Sequence, residues 1–200
     1  MSGSMGSRQA PPAVRDRIRD EDSRLIERVV VLLLAFWMGT LLLAALAATG
    51  SFAAVDSTLS KPPAVVAKAL ERMGPDQTRE LLHYHSGEVN RGLFETFGWL
   101  QLGLTAVTFT LMLFLTNAGK RVLGLAASMA AMSGLISFYV IPGMVRIGRE
   151  MRARPPGPTP DMSESFQTMH RAFAAFEVAA VLLAILLMAA LLRGGARARR

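Results

Sequence analysis

Two of the chain's three histidines lie in a polar stretch, residues 81–101, that leads into an apolar segment. They are His83 and His85, and the third, His170, stands just before another apolar segment. Imidazole nitrogens bind transition metals, so all three are candidate metal ligands. Because His83 and His85 are two residues apart, they lie roughly 160–200° apart around a helix. They can share one ion only where the helix breaks.

The same stretch carries polar side chains at helical spacing. One stripe comprises Asn90, Phe94, Phe97 and Gln101, and a neighbouring stripe comprises Glu88, Arg91 and Glu95. Polar groups at a membrane boundary either hold helices together or bind a ligand, and the pattern leaves both open. A carboxylate at the hydrocarbon boundary, where we expect Glu95, is costly unless it is paired or protonated.

A further carboxylate, Glu177, interrupts the last apolar segment, residues 172–192. It lies seven residues after His170, which is two helical turns on one face and about 10 Å of rise. An ionisable group inside a membrane is a candidate functional site. The alternative is a buried hydrogen bond between helices, with Gln101, Ser133 or Asn90 as the partner.

These groups predict a pocket at one end of a helix bundle. One wall is residues 88–95, and the other is residues 139–146 together with residues 170–177. The candidate ligand-binding residues are Glu88, Asn90, Arg91, Glu95, Gln101, Tyr139, Arg146, His170 and Glu177. No residue is predicted to be catalytic, so a binding protein is favoured over an enzyme.

Four apolar segments must position these residues. No charge occurs between Arg28 and Gly50, between Glu95 and Lys120, or between Arg121 and Arg146. About 20 apolar residues cross a bilayer as a helix. We therefore predict an all-α, integral membrane four-helix bundle. Its spans are residues 29–49, 92–116, 122–145 and 172–192 of a membrane domain, residues 23–193, between a flexible tail, 1–22, and a basic tail, 194–200.

Prolines and glycines predict the shape of the connecting segments. Pro62-Pro63 opens and Gly74-Pro75 ends a short amphipathic helix in the first loop. The second helix meets no stop before Asn117, and its length of about 60 Å exceeds the roughly 30 Å bilayer core. It either protrudes or bends near Ser86-Gly87. Pro142-Gly143 is expected to kink or end the third span.

The cationic residues predict an orientation in the membrane. The two tails with their flanking residues (1–28 and 193–200) and the hairpin at residues 117–121 hold 12 of the 22 Lys and Arg residues. By the positive-inside rule both termini are cytoplasmic, in a bacterial inner membrane. Ala45-Leu-Ala47 resembles a signal-peptide cleavage site, but the apolar run is longer than an ordinary signal segment. Retention of this span is favoured over cleavage after residue 47.

Composition limits the cofactors and partners. The chain has no cysteine, which excludes disulfides, thiolate metal sites, iron–sulfur clusters and covalently attached c-type haem. The formal net charge of +7 lies mostly in tails and loops, which predicts contact with anionic lipid headgroups. Basic and aromatic residues do not alternate as they do on surfaces that bind single-stranded nucleic acid, so we expect no nucleic-acid partner.

The order and spacing of several motifs are similar to one membrane-protein family. The motifs are Phe36-Trp-Met-Gly39, Glu88-x-Asn90-Arg-x-x-Phe94, Trp99-x-Gln101, Tyr139-x-x-Pro142 with Arg146, and Phe166-x-x-x-His170. Across residues 29–192 the chain resembles the four-span branch of unknown function in the copper-resistance-D-like superfamily, which includes transmembrane-protein-205-like proteins. The resemblance implies a four-helix membrane bundle, with copper handling or haem-linked chemistry in distant relatives.

The chain departs from that family at two places. Phe173 and Glu177 follow the histidine where the family often has a small polar residue and an asparagine. The first span also lacks the histidine of the haem-handling relatives. Three hypotheses therefore stand: a cofactor-free membrane protein that binds a ligand, ion or protein partner; a copper- or haem b-binding protein using His83, His85 or His170; and an accessory subunit of a larger membrane complex.

Overall fold

Helices make up almost all of residues 18–153 and 159–197, the part of the chain that the computed structural model describes (without the side chains of 152, 153 and 194–197). They are α1, Asp20–Ser60; α2, Ala64–Met73; α3, Pro75–Phe114; α4, Lys120–Leu135; α5, Ile141–Ala153; and α6, Pro160–Arg197. A π-helical segment, Ile136–Val140, joins α4 to α5. Most of the predicted N-terminal tail and the end of the basic tail lie outside the described residues.

Four of these helical stretches are long and apolar enough to cross a membrane. They are Asp20–Ser60, Pro75–Phe114, Lys120–Met151 and Pro160–Arg193. The predicted all-α four-helix bundle is thereby confirmed, and the chain is a multi-pass membrane protein. Large apolar side chains such as Leu32, Phe138 and Leu182 remain more than half exposed on the outside of the bundle, where lipid would cover them.

The four spanning stretches pack in a ring. Helix α1 contacts α3 and α6, and α4 also contacts α3 and α6. One buried apolar cluster includes Trp37 of α1, Met129 of α4 and Leu187 of α6. A second cluster surrounds the π-helical segment and includes Ile136 and Phe173. The two clusters therefore support different ends of the third span.

Two helices extend well beyond the thickness of a bilayer. Helix α3 is helical through Ser86-Gly87 for all of its 40 residues, or about 60 Å, so of the two predicted outcomes it is the protruding one. Helix α1 continues through Gly50 to Ser60, where the sequence suggested a loop. Helix α2 packs on α3, and the link between them turns at Gly74, whose φ of 83° favours glycine.

Pro142 changes the hydrogen bonding of the third span without ending it. A proline inside an α-helix lacks an N–H and its ring clashes with the carbonyl four residues earlier. The π-helical segment directly precedes it, and the N–H of Ile141 donates to the carbonyl of Ile136 five residues back. The wider turn accommodates the ring, and the α-helix resumes through Ala153.

At the opposite end of the bundle, a polar residue ties the α3–α4 turn to the start of α1. The backbone N–H of Asn117 donates to Oγ of Ser23 at 3.0 Å, and its side-chain amide donates to the carbonyl of Ile18 at 2.8 Å. The start of α1 and the α3–α4 hairpin therefore lie at the same end of the bundle.

Candidate functional site

The structure does not bring the predicted ligand residues into one pocket. Both predicted stripes on α3 are present: Asn90, Phe97 and Gln101 are buried, Phe94 is half-buried, and Glu95 of the neighbouring stripe is exposed. However, different helices cover different parts of these stripes. The predicted residues therefore fall into separate groups around α3.

Asn90 holds α3 against α1. Its side-chain amide donates to Oγ of Ser51 at 2.9 Å and to the carbonyl of Ala48 at 3.2 Å. The hydroxyl of Ser51 also lies 3.1 Å from Oδ1 of Asn90, and Ser86 donates to the carbonyl of Ser51. Asn90 is thus a contact between helices that satisfies buried polar groups.

Arg91 joins three helices at the same end of the bundle. Its guanidinium forms an ion pair with Glu88 one turn earlier. It also lies against Gly148 of α5, next to Phe166 of α6. Helices α3, α5 and α6 therefore approach one another closely at Gly148.

A buried polar cluster lies deeper in the bundle, where α3, α4 and α6 meet. Gln101 and Ser133 are completely buried, and Nε2 of Gln101 is 3.5 Å from Oγ of Ser133. The side-chain amide of Gln101 is the polar group next to the carboxylate of Glu177. Neither Glu177 oxygen, however, accepts a hydrogen bond of normal geometry, and Oε1 of Gln101 receives no donor.

Glu177 also lines a cavity between α1, α3 and α6, which we call the lateral cavity. Its volume is about 460 Å³. Its wall is formed by Leu41, Ala44, Ala45, Ala48, Thr49, Phe94, Phe97, His170, Phe173, Ala174, Glu177, Val178, Val181 and Leu182. Several of these residues, including Ala45, Val178 and Leu182, are exposed on the outer surface. The cavity therefore opens between α1 and α6 toward the surrounding lipid.

A second cavity of about 460 Å³ lies on the other side of α3, and we call it the interfacial groove. It is lined by Glu95, Gly98, Trp99, Ser137, Ile141, Pro142, Val145, Arg146, Arg149 and Glu150. At its floor the hydroxyl of Ser137 donates to the carbonyl of Gly98 at 2.7 Å. The two predicted residues Glu95 and Arg146 meet here, away from Glu177.

The three histidines have separate surroundings. His83 stacks on Phe52 of α1, with ring centroids 6.0 Å apart, and its Nε2 is 3.8 Å from Asp56. His85 is exposed, as expected from its position on the opposite side of α3. His170 stacks on Phe166 within α6 and lines the lateral cavity.

The predicted metal ligands are not gathered into one cluster in the structure. Within residues 18–153 and 159–197, no group of three or more His, Asp or Glu side chains is placed to hold a metal ion.

The predicted ligand-binding residues and the residues that line the two cavities overlap only in part. Tyr139 is two-thirds exposed and lines neither cavity. Arg149 and Glu150 also line the interfacial groove, although Arg146 was the only residue of α5 that the sequence predicted as a ligand-binding residue. The signal was available, because Arg149 follows Arg146 by three residues and therefore shares its helical face.

Comparisons with known proteins add no family assignment. No protein-family model matches the chain. A search of characterised proteins found no match, and neither did a search of solved structures.

Proposed function

We propose that this membrane protein binds a small hydrophobic organic cation in the lateral cavity, with Glu177 as its counter-ion. The observation that carries the proposal is a carboxylate that is 95% buried, lacks a hydrogen-bond donor of normal geometry and belongs to the wall of a largely apolar cavity. A buried carboxylate is costly unless a proton, a cation or hydrogen-bond donors compensate it.

The wall of the cavity suits a hydrophobic organic cation. Phe94, Phe97 and Phe173 supply aromatic rings, whose faces attract cations by about 0.5–2 kcal/mol each when they are correctly placed. The volume of about 460 Å³ lies in the usual range for small-molecule sites. The opening between α1 and α6 would admit a ligand that first partitions into the bilayer.

The carboxylate need move only a short way to reach such a ligand. Without ligand its oxygens are buried next to Gln101, while the rest of the Glu177 side chain forms part of the cavity wall. Rotation about the side-chain torsions would turn the oxygens from Gln101 to the cavity. Gln101 then acts as the resting partner of Glu177 and the cation as its exchange partner.

Calorimetric titration of the purified protein with tetraphenylphosphonium and with tetraalkylammonium ions of increasing size tests this function. We expect the Glu177→Gln variant to lose about 10- to 150-fold in affinity, since a hydrogen bond or contact to a charged group contributes about 1.5–3 kcal/mol. Glu164→Gln is the matched control, because Glu164 is exposed on the same helix and lines neither cavity.

Stability measurements separate this function from a purely structural role of Glu177. In the absence of ligand, Glu177→Gln should unfold at the same or a higher temperature than the parent, because it removes a buried charge. Unchanged cation affinity in Glu177→Gln, or no binding to the parent at millimolar cation, would refute the function.

The location in a bacterial inner membrane with both termini cytoplasmic is also a proposal, supported by the charge distribution. Because the chain has no cysteine, single cysteines report directly on orientation. An impermeant maleimide should label Lys61→Cys in intact cells, and Gly119→Cys only after the membrane is opened. The reverse pattern would invert the topology.

A further inference from the structure

We propose that the interfacial groove is a separate binding site for a phospholipid whose headgroup carries a primary ammonium as well as a phosphate. The groove shares no lining residue with the lateral cavity. Its chemistry also differs, because four charged side chains line it.

The charges in the groove match a zwitterion. Arg146 and Arg149 supply two positive charges, and Glu95 and Glu150 supply two negative charges, so the four groups sum to zero. No ion pair joins any of the four to another described residue. Two guanidinium groups suit phosphate oxygens, and the two carboxylates can accept hydrogen bonds from an ammonium.

The groove is polar at one end and apolar at the other, in the direction that a lipid requires. Glu95 and Arg146 each mark the end of a charge-free segment, so the charged end lies at the boundary of the hydrocarbon core. The remaining lining, which includes Trp99, Ile141 and Val145, belongs to the apolar part of the spans. The headgroup would lie at the boundary while an acyl chain follows the apolar wall.

Trp99 marks the apolar wall and gives the site a spectroscopic reporter. Its indole is 61% exposed and meets Phe138 edge to face, with ring centroids 5.5 Å apart. Indole rings are enriched at membrane interfaces. The only other tryptophan, Trp37, is completely buried, so the Trp37→Phe variant leaves Trp99 as the sole emitter.

The headgroup preference follows from the two carboxylates. A primary ammonium has three N–H donors for Glu95 and Glu150, whereas a trimethylammonium has none. A headgroup with phosphate but no ammonium would leave both carboxylates unpaired beside another negative charge. The expected order of affinity is therefore phosphatidylethanolamine, then phosphatidylcholine, then phosphatidylglycerol.

The test measures quenching of Trp99 by lipids with brominated acyl chains. The full-length Trp37→Phe protein is reconstituted in phosphatidylcholine bilayers that contain increasing fractions of brominated phosphatidylethanolamine, phosphatidylcholine or phosphatidylglycerol. Brominated phosphatidylethanolamine should quench the fluorescence of Trp99 at a lower fraction of the bilayer lipid than the other two brominated lipids. Native mass spectrometry of the unaltered protein, which counts retained lipids, gives the same ranking should Trp37→Phe fail to fold.

Charge variants assign the preference to the groove. Glu95→Gln with Glu150→Gln should abolish the preference for phosphatidylethanolamine over phosphatidylglycerol. Arg146→Gln and Arg149→Gln should each lower the affinity for all three lipids by about fivefold, the usual effect of one cation near a headgroup. Glu71→Gln with Arg72→Gln, on the exposed part of α2, is the matched control and should change nothing.

Selective quenching by phosphatidylethanolamine that the carboxylate variants remove establishes the site. Equal quenching by the three lipids, stronger quenching by phosphatidylglycerol, or a preference that survives the carboxylate variants would overturn it. Water-soluble glycerophosphoethanolamine that binds as tightly as the lipid would show that the groove takes a soluble phosphate instead.

Discussion

Gly98→Ala tests a close contact between α3 and the third span. A methyl group on Gly98 would lie 2.6 Å from Cδ1 of Ile141, whereas carbon atoms in contact prefer 3.5–4.0 Å. Ile141 is 97% buried in the cluster around the π-helical segment, so Cδ1 can escape the clash only by moving from its packed position toward the adjoining interfacial groove. The substitution should therefore strain this crossing.

The expected size of the effect follows from two opposing contributions. Overpacking a core costs about 1–3 kcal/mol, while alanine in place of glycine inside a helix contributes about 0.5–1 kcal/mol of stability. Gly98→Ala should thus lower the free energy of unfolding by up to about 2 kcal/mol. Gly103→Ala is the matched control, because no atom lies within 4 Å of a methyl group there, and it should be neutral or stabilising.

A second substitution makes this prediction specific to the contact. Ile141→Val removes Cδ1 and by itself should cost about 0.5–1.5 kcal/mol. In the double variant the nearest remaining atom is Oγ of Ser137 at 3.5 Å, which is an ordinary distance. The double variant should be about 1–3 kcal/mol more stable than the sum of the single effects predicts.

The free energy of unfolding of the parent and of these four variants is measured by denaturant unfolding in one fixed detergent, with the circular dichroism of the helices as the signal. The reasoning is refuted if Gly98→Ala is as well tolerated as Gly103→Ala. It is equally refuted if the two changes at Gly98 and Ile141 are simply additive.

The same unfolding assay checks two further substitutions. Asn90→Leu should lower the free energy of unfolding by about 1–2 kcal/mol, because it removes the hydrogen bonds to Ala48 and Ser51. Each such bond in a membrane contributes about 0.6 kcal/mol on average. A cost no larger than that of Ser86→Ala would contradict this role of Asn90. Trp37→Phe should cost about 1–2 kcal/mol, because the smaller ring leaves a cavity at a completely buried position while the loss of the unpaired Nε1 donor offsets part of that cost; a cost above about 3 kcal/mol would contradict this balance.

The spans and the inward side of α3 could be predicted because they depend on local pattern. Three charge-free segments and one with a single glutamate were enough to locate four membrane helices. Spacings of four, three and four residues placed Asn90, Phe97 and Gln101 on one buried face. Both inferences need only the period of the helix and the cost of charge in lipid.

The division of the site into two cavities could not be predicted from the same pattern. A stripe shows which face of a helix is buried, but not which neighbouring helix covers it. Asn90 faces α1, Gln101 faces α4 and α6, and Glu95 faces α5. A single predicted pocket therefore became two, one on each side of α3.

Local sequence also failed where a tertiary contact decides the outcome. The first span was expected to end at residue 49, but α1 continues because Ser51 and Phe52 contact Asn90 and His83 of α3. Packing of this kind overrides weak helix propensity. Of the two outcomes expected at Pro142, an end of the third span did not occur, because the π-helical segment before it accommodates its ring.

The position of α3 between the two cavities has a consequence for the two proposed ligands. Phe94 and Phe97 face the lateral cavity, and Glu95 and Gly98 face the interfacial groove, although they alternate in sequence. Since the sites share no lining residue, substitutions in one should act independently of the other. Glu177→Gln should leave the preference for phosphatidylethanolamine intact, and Glu95→Gln should change cation affinity by no more than about twofold. Cation titration in bilayers with and without phosphatidylethanolamine measures the coupling between the two sites. A large difference in cation affinity between the two bilayers would mean that α3 moves as the lipid binds. The two cavities would then belong to one functional unit.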